Sequence, residues 1–491
     1  MTRRLQNRIA VAAVIAAVAA CTTASVHGQQ AQDSWATDPP TYSNDVAPII
    51  QGVCMRCHVE GGLGPMPLTT YEEVRPYARR IRESVLRRVM PPWHLDPTIG
   101  IRAYKNDISL SAEEVEAVVA WVDAGAPEGD PADLASLPQD QWTWGEGWEL
   151  ESVLGEPDLV VTTGPIPIPA EGQDVWPAVT LPWSELDETR YLKAAEIRNT
   201  ADGRRALHHN NIRLAIEGKR SGRILGAGAG KSWDLFAEDT GVRLDAGPGR
   251  LNWGLHYALY GTALVDTVEV AMWLYPRDKG PLYESTSEFH HLIDQFTPGE
   301  PRGRDILIPP HGSQTLTRVV VLDQPIMINS IRPHMHLHGV AQSVEVIWPT
   351  RLPEYTGHSG SPSEMLSSIN NYDHNWQISY SYQNQARPLL PKGAALLFRT
   401  HFDNTANNPL AVDPDQWVAF GARSVDAMSH MHTAISYLTD EQYEALVEER
   451  VRLVRDQASK PEEEQLEVFV PLEVRGRVER TAAPDVAFPF N

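Results

Sequence analysis

Cysteine is nearly absent, with only Cys21, Cys54 and Cys57 in 491 residues. Everything after position 57 therefore has no disulfide and no thiolate metal ligand, so a metal held there needs nitrogen, oxygen or thioether donors. Positive charge is also scarce: 42 Lys and Arg stand against 64 Asp and Glu, a net charge of −22. Nucleic acid is excluded as a partner class, because neutralising phosphates takes a basic face. Long apolar runs are missing too. The longest, Ile9 to Ala20, falls short of the roughly 18 residues a membrane-spanning helix needs. At this length one hydrophobic core does not organise the whole chain, and two or three domains are expected.

That apolar run follows the basic start "MTRRLQNR" and precedes small residues, the pattern of a signal peptide over residues 1–28. "VAAC", ending at Cys21, matches a bacterial lipoprotein box and would carry a lipid anchor. "VHG", before Gln29, would serve an ordinary signal peptidase. Both readings predict an exported protein, periplasmic or tethered to the membrane.

"GVCMRCHVEGG" places Cys54, Cys57 and His58 in the C-x-x-C-H arrangement, where two thiols bond covalently to haem and the imidazole ligates its iron. A small disulfide loop is the plainer alternative. Two helices flank the motif. Thr70 with Glu73, and Ser111 with Glu114, read as capping boxes, with Val74, Ala78, Ile81 and Val85 inward in the first helix and Val115, Val118, Val119 and Val122 in the second. The expectation is a small all-α domain over residues 42–130, similar to cytochrome c. Opposite His58, Met90 is the favoured second axial ligand, with Met66 and His94 as alternatives. Residues 131–155, rich in Pro, Gly, acids and Trp, read as a linker.

From 156 onward short alternating runs such as "VEVAMWLYP" and "SVEVIWP" lie between Gly and Pro turns, which predicts two all-β sandwiches in series, 156–310 and 311–440. Histidines recur in sets: His208 with His209, His256, His290 with His291, the triplet His334, His336 and His338, and His430 with His432. Residues i and i+2 of a strand share a face, so His334 and His336 can converge on one ion, whereas adjacent His208 and His209 can do so only at a bulge or strand end. Any one of these histidines, alone, is more simply a hydrogen-bonded core or surface residue. Imidazoles with an available thioether suit copper better than calcium, magnesium or an iron–sulfur centre, and zinc stays open. The triplet looks superficially like the His-x-His motifs of multicopper oxidases, but a blue copper needs a cysteine that this region lacks.

The order "LHHNN", "NWGLHYALYG", "RPHMHLHG", "SVDAMSHMH" resembles the copper type II, ascorbate-dependent monooxygenases, the family of peptidylglycine alpha-hydroxylating monooxygenase and dopamine beta-monooxygenase, from about Gly155 to Leu438. The resemblance implies two jelly-roll-like sandwiches facing a solvent cleft. It implies a copper on His208, His209 and His256 that stores an electron, and one on His334, His336 and Met428 that binds dioxygen, with His338 outside both sets. The chain departs from the pattern where Ala427 replaces the acid common before the liganding Met, and in lacking the family's disulfides. Strand alternation sets Met431 on the face opposite Met428 and leaves His430 as an outside possibility. His401 is expected beside a site rather than in it, and His290 and His291 in an insertion, as non-ligands.

The implied activity is hydroxylation of a C–H bond of a small organic substrate with O2, using two copper ions and one covalently bound c-type haem. Electrons would come through the haem from an ascorbate-like reductant or a redox protein. A non-hydroxylating haem and copper electron carrier is the competing reading. Residues 441–491 read as a solvated charged helix and a tail in which "LEVFVPLEVRG" adds an edge strand.

Overall fold

The computed structural model describes residues 39–134, 147–219, 222–228, 231–291, 306–349, 363–461 and 464–472, with backbone alone for 287–291. The signal region with Cys21, most of the expected linker and the end of the tail lie outside these residues. The chain forms two compact units.

In the first unit, residues 39–93 and 108–134, every described element is helical. Both capping boxes form as expected, at Thr70 with Glu73 and at Ser111 with Glu114. Val74, Ala78, Ile81 and Val85 are buried on one face. In the second helix, Ala112–Asp123, the buried stripe is Ala117, Val118 and Trp121, with Val115 and Val122 only packed against it. The large indole takes the centre, its Nε1 donating to the Pro127 carbonyl at 2.9 Å, and Val115, Val119 and Val122 sit toward the rim. The expected boundaries of 42–130 need one correction. Residues 94–107 belong to the second unit, where Leu95–Gly100 pairs with Ser363–Ile369.

The second unit is built mainly of antiparallel sheets arranged as β-sandwiches. In the first, a six-stranded sheet centred on Arg190–Arg198 and Leu264–Leu274 shares a core with a four-stranded sheet running Thr180–Trp183, Gly249–Asn252, Ile212–Ile216, Gly222–Leu225. Trp183, Leu192, Leu251, Trp253 and Val270 fill that core. The end of the expected linker docks here: Leu150 is buried against Trp273, and its N–H and that of Glu149 donate to Glu196 at 3.0 and 2.8 Å.

In the second sandwich, the sheet Leu95–Gly100, Ser363–Ile369, Gly339–Ile347, Ala395–Asp403, Ser313–Val321 accompanies the sheet Thr286–His291, Ser429–Tyr437, Ile326–Met335, Tyr380–Ser381. The expected boundary at 310 thus shifts to about 285. His290 and His291 lie in a strand paired with Ser429–Tyr437 rather than in an insertion; their backbones face Met431 and His430.

The helix Asp440–Gln457 is not fully solvated: Tyr443, Leu446, Val447 and Arg450 are buried along it. The tail segment forms no strand in its described part. Val468, Phe469 and Val470 are buried, and the Phe469 N–H donates to Gln385 O at 3.0 Å. Among the described residues no helix is long and apolar enough to cross a membrane.

One buried carboxylate ties together the segments that carry the first histidines. Asp266 accepts from the Thr200 N–H at 3.0 Å, the Thr200 hydroxyl at 2.8 Å and the Tyr257 hydroxyl at 2.8 Å. Thr200 caps the short helix Ala201–Ala206 that runs into His208, and Tyr257 follows His256. A Cβ at Gly203 would fall on the Asp266 carboxyl group. Asp266→Ala leaves buried donors without acceptors and is expected to cost about 2–5 kcal/mol; the urea unfolding midpoint checks it.

Candidate metal centre

Leu207–His209 is a three-residue strand paired with His256–Tyr257, with a register shift between the two pairs. This is the bulged setting in which neighbouring histidines can turn to one side. The rings of His208, His209 and His256 lie pairwise 5.3, 5.1 and 4.8 Å apart between centroids. Trp176 stacks on His256 at 4.3 Å.

His334 is the next-to-last residue of the strand Ile326–Met335, with its ring 5.3 Å from that of His336. Met428 immediately precedes the strand Ser429–Tyr437 and lines one cavity of about 410 Å³ together with His334, His209 and His430. His430 is the cross-strand partner of His334 and stacks on it at 5.5 Å. Met431 is fully buried in the core, on the opposite side of the strand as alternation requires. His401 bonds Thr315 at 2.9 Å on the far sheet. His338 is buried, and among the described residues no ring contact joins it to these histidines.

The sequence reading missed His374, although it stands in "DHNWQISYS". Its ring lies 4.7 Å from His208 and 5.7 Å from His336. The segment 372–377 clasps the His-Met-His stretch. The Met335 N–H donates to the Tyr372 hydroxyl at 3.0 Å, and that hydroxyl donates to Met335 O at 2.9 Å. His374 Nδ1 meets the same carbonyl at 3.0 Å, and Gln377 Oε1 meets His334 Nδ1 at 2.8 Å.

These contacts fix tautomers, since a carbonyl or carboxylate oxygen only accepts. His334 is protonated on Nδ1 toward Gln377. His336 is protonated on Nδ1 toward Asp426 O at 3.2 Å, and His374 on Nδ1 toward Met335 O. Their Nε2 lone pairs are left over. His256 is reversed: Nε2 faces Asp174 Oδ2 at 3.1 Å, so Nδ1 carries the lone pair, 3.1 Å from His209 Nε2. His208 Nε2 is buried with no hydrogen-bond partner. An imidazole with one nitrogen anchored and the other turned inward is the ordinary arrangement around a bound metal. Among the described residues no three His, Cys, Asp or Glu side chains converge as a finished ion site. The fit therefore rests on donor chemistry and tautomers.

Burial also keeps these rings neutral. It pushes His208 down to about 3 and His336 to about 4, and lowers His209, His256, His334, His374 and His432 as well. The two histidine groups, expected across a solvent cleft, abut instead: His209 reaches His334 at 5.5 Å. Gly226 and Gly228 permit the approach. A Cβ on Gly226 would meet the Arg332 guanidinium, and one on Gly228 would stand 2.7 Å from Gln377 Cβ.

In the helical unit, neither Cys54 nor Cys57 is in a disulfide, so the small disulfide loop does not form. They bracket the single turn Cys54–Arg56, and His58 N–H donates to Cys54 O at 3.0 Å. Burial pushes the Cys54 thiol up to about 12. His58 Nδ1 donates to Met66 O at 3.0 Å, leaving Nε2 as the free lone pair. Met66 thus stands on the His58 side, while Met90 is half-buried beyond Ala78–Leu86. His94 is in the other unit, buried, its ring 5.9 Å from Tyr372.

No family model matches the chain, and no curated protein does. Among solved structures, the PBSX exported protein XepA is 8% identical over 50% of this chain and 86% of that one, with a TM-score of 0.16. The CBM22-1-CBM22-2 tandem domain of Paenibacillus barcinonensis Xyn10C is 9% identical over 53% and 83%, also at 0.16. Likenesses this loose carry no argument.

The depressed imidazoles set a pH dependence for the metal-free protein. The unfolded chain takes up protons near 6.5 while folded His336 resists to about 4, so stability is full above 6.5 and falls as pH drops through that window. His336→Gln should reduce the slope there by about 1.4 kcal/mol per pH unit, one proton's worth. Urea unfolding at pH 7, 6, 5 and 4.5 measures it.

Proposed function

We propose that the chain is an exported haem- and copper-dependent monooxygenase of the copper type II, ascorbate-dependent class, with an N-terminal cytochrome c-like domain. The observation that carries this reading is the set of neutral buried imidazoles beside the Met428 thioether, with His256, His334, His336 and His374 each anchored through one nitrogen. His208, His209 and His256 would hold one copper, and His334, His336 and Met428 the other. Bound there, copper supplies one-electron chemistry and dioxygen binding. In the haem unit, Cys54 and Cys57 would form the thioether links and His58 Nε2 the axial bond. Met90 is the better partner opposite, because the Met66 carbonyl already holds His58 from its own side.

The overall reaction takes a substrate C–H, O2, two electrons and two protons to an alcohol and water. A haem held by Cys54, Cys57 and His58 would supply the electrons, fed by an ascorbate-like reductant or a redox protein. Residues for both groups lie on one chain, which would replace a diffusional encounter with a high effective concentration.

This chain's own residues shape the substrate side. Arg332 is buried in the cavity wall with Nε lacking a partner, and Arg213 lines the same cavity. Burial lowers Arg332 to about 9, still cationic at neutral pH. A small organic substrate with a carboxylate or similar anionic group would satisfy that guanidinium and bring a C–H bond beside Met428 and His334. The cavity favours this reading over an electron carrier that only stores charge.

Elemental analysis of the matured protein should give two coppers per haem; none would leave only a haem protein with structural histidines. After selective haem reduction, oxygen-dependent reoxidation should disappear in His256→Ala, and unchanged reoxidation would sink the electron route. In an oxygen-consumption screen, anionic substrates should lose about 10- to 100-fold in kcat/KM on Arg332→Ala, with partial recovery in Arg332→Lys.

A further inference from the structure

His374 belongs to neither histidine group that the sequence pattern brings together, yet it stands between them. It comes from the second sandwich and its nearest histidine, His208, comes from the first, with ring centroids 4.7 Å apart. It is buried, at 5% exposure. Its Nδ1 donates to the Met335 carbonyl at 3.0 Å, so the proton is on Nδ1 and the lone pair on Nε2. The carbonyl of His374 is itself held by Gln377 Nε2 at 3.0 Å, and Gln377 also fixes His334. The ring is therefore positioned by the same clasp that orients the His-Met-His stretch. In the neighbouring ring, His208 Nε2 is buried without a hydrogen-bond partner. A buried imidazole nitrogen left unpaired is costly unless something binds it.

We propose that His374 is a further ligand of the copper held by His208, His209 and His256, donated by the other sandwich. The metal then has a four-imidazole shell and ties the two sandwiches together through its bonds. The inference rests on the proposed copper function. Packing alone does not account for a ring anchored through Nδ1 and set 4.7 Å from a second imidazole whose Nε2 is buried without a hydrogen-bond partner.

The test uses full-length haem-loaded protein stripped of copper, as wild type, His374→Ala, His374→Gln and His208→Ala, with His401→Ala as a comparison away from the centre. Copper is titrated against a competing chelator, the nitrogen couplings of the Cu(II) spectrum are recorded, and the melting temperature is read with and without copper. We expect wild type and His401→Ala to bind two coppers and His208→Ala to lose one tightly bound copper. His374→Ala should bind one of its two coppers ~100-fold or more weakly, lose one nitrogen from that spectrum, and lose most of the copper-induced rise in melting temperature. Its metal-free melting temperature serves as the folding control. Glutamine can still donate to Met335 O, so affinity restored by His374→Gln would mean that His374 only positions its neighbours, and would overturn the proposal. Unchanged affinity and spectrum in His374→Ala, with two coppers in wild type, would overturn it while leaving the monooxygenase reading intact. A wild type that binds no copper would overturn both.

Discussion

An imidazole ring has two nitrogens, and fixing the proton on one decides what the other can do. The centre of this protein depends on that rule. Asp174, the Gln377 amide oxygen, and the carbonyls of Asp426 and Met335 each accept a hydrogen bond from one histidine nitrogen. Burial removes the option of protonating the second nitrogen as well. What remains is one lone pair on each of these rings, and the strands, bulges and the 372–377 clasp hold the rings close together. Three of the four acceptors come from backbone or from a neutral amide. They orient the rings without placing additional negative charge beside them.

The same requirement explains how two sandwiches without disulfides can bring histidines from both into one group. The contact is made by close backbone approach at Gly226 and Gly228 and by aromatic and imidazole rings rather than by covalent links. Asp174 of the first sandwich accepts from His256 and also from the Ser424 hydroxyl of the second at 2.8 Å, so one carboxylate serves orientation and domain contact together. Asp266 does comparable work within the first sandwich, where it links the segments leading to His208 and from His256.

Legibility in the sequence followed the range of the interaction. The capping boxes at Thr70 and Ser111 were readable because cap and acid are three residues apart. The pairing of His334 with His336 was readable because strand alternation is local, and so was the opposite facing of Met431. His374 was not, since what makes it notable is a carbonyl 39 residues earlier and a ring on the other sandwich. Arg332 gave no signal for the same reason: its setting depends on Gly226, over a hundred positions away. The boundary near 285 was missed because the segment before 310 reads as polar and irregular, and its strand is created by the partner Ser429–Tyr437 rather than by its own pattern. Trp121 displaced the valines as the centre of its helix face, with its indole hydrogen-bonded beyond the helix end.

Residues 94–107 leave the helical unit and complete the sheet of the other unit. A chain that begins at residue 131 would look like a complete pair of sandwiches, but it would lack Leu95–Gly100, and Ser363–Ile369 would become an unpaired outer strand. It would also lack Tyr104, which stacks on Tyr382 at 4.9 Å and bonds Ser367 at 2.7 Å. Exposed outer strands invite pairing with other molecules. A cut before residue 131 is therefore not a clean domain boundary, because it removes a strand and a buried tyrosine from the sandwich unit.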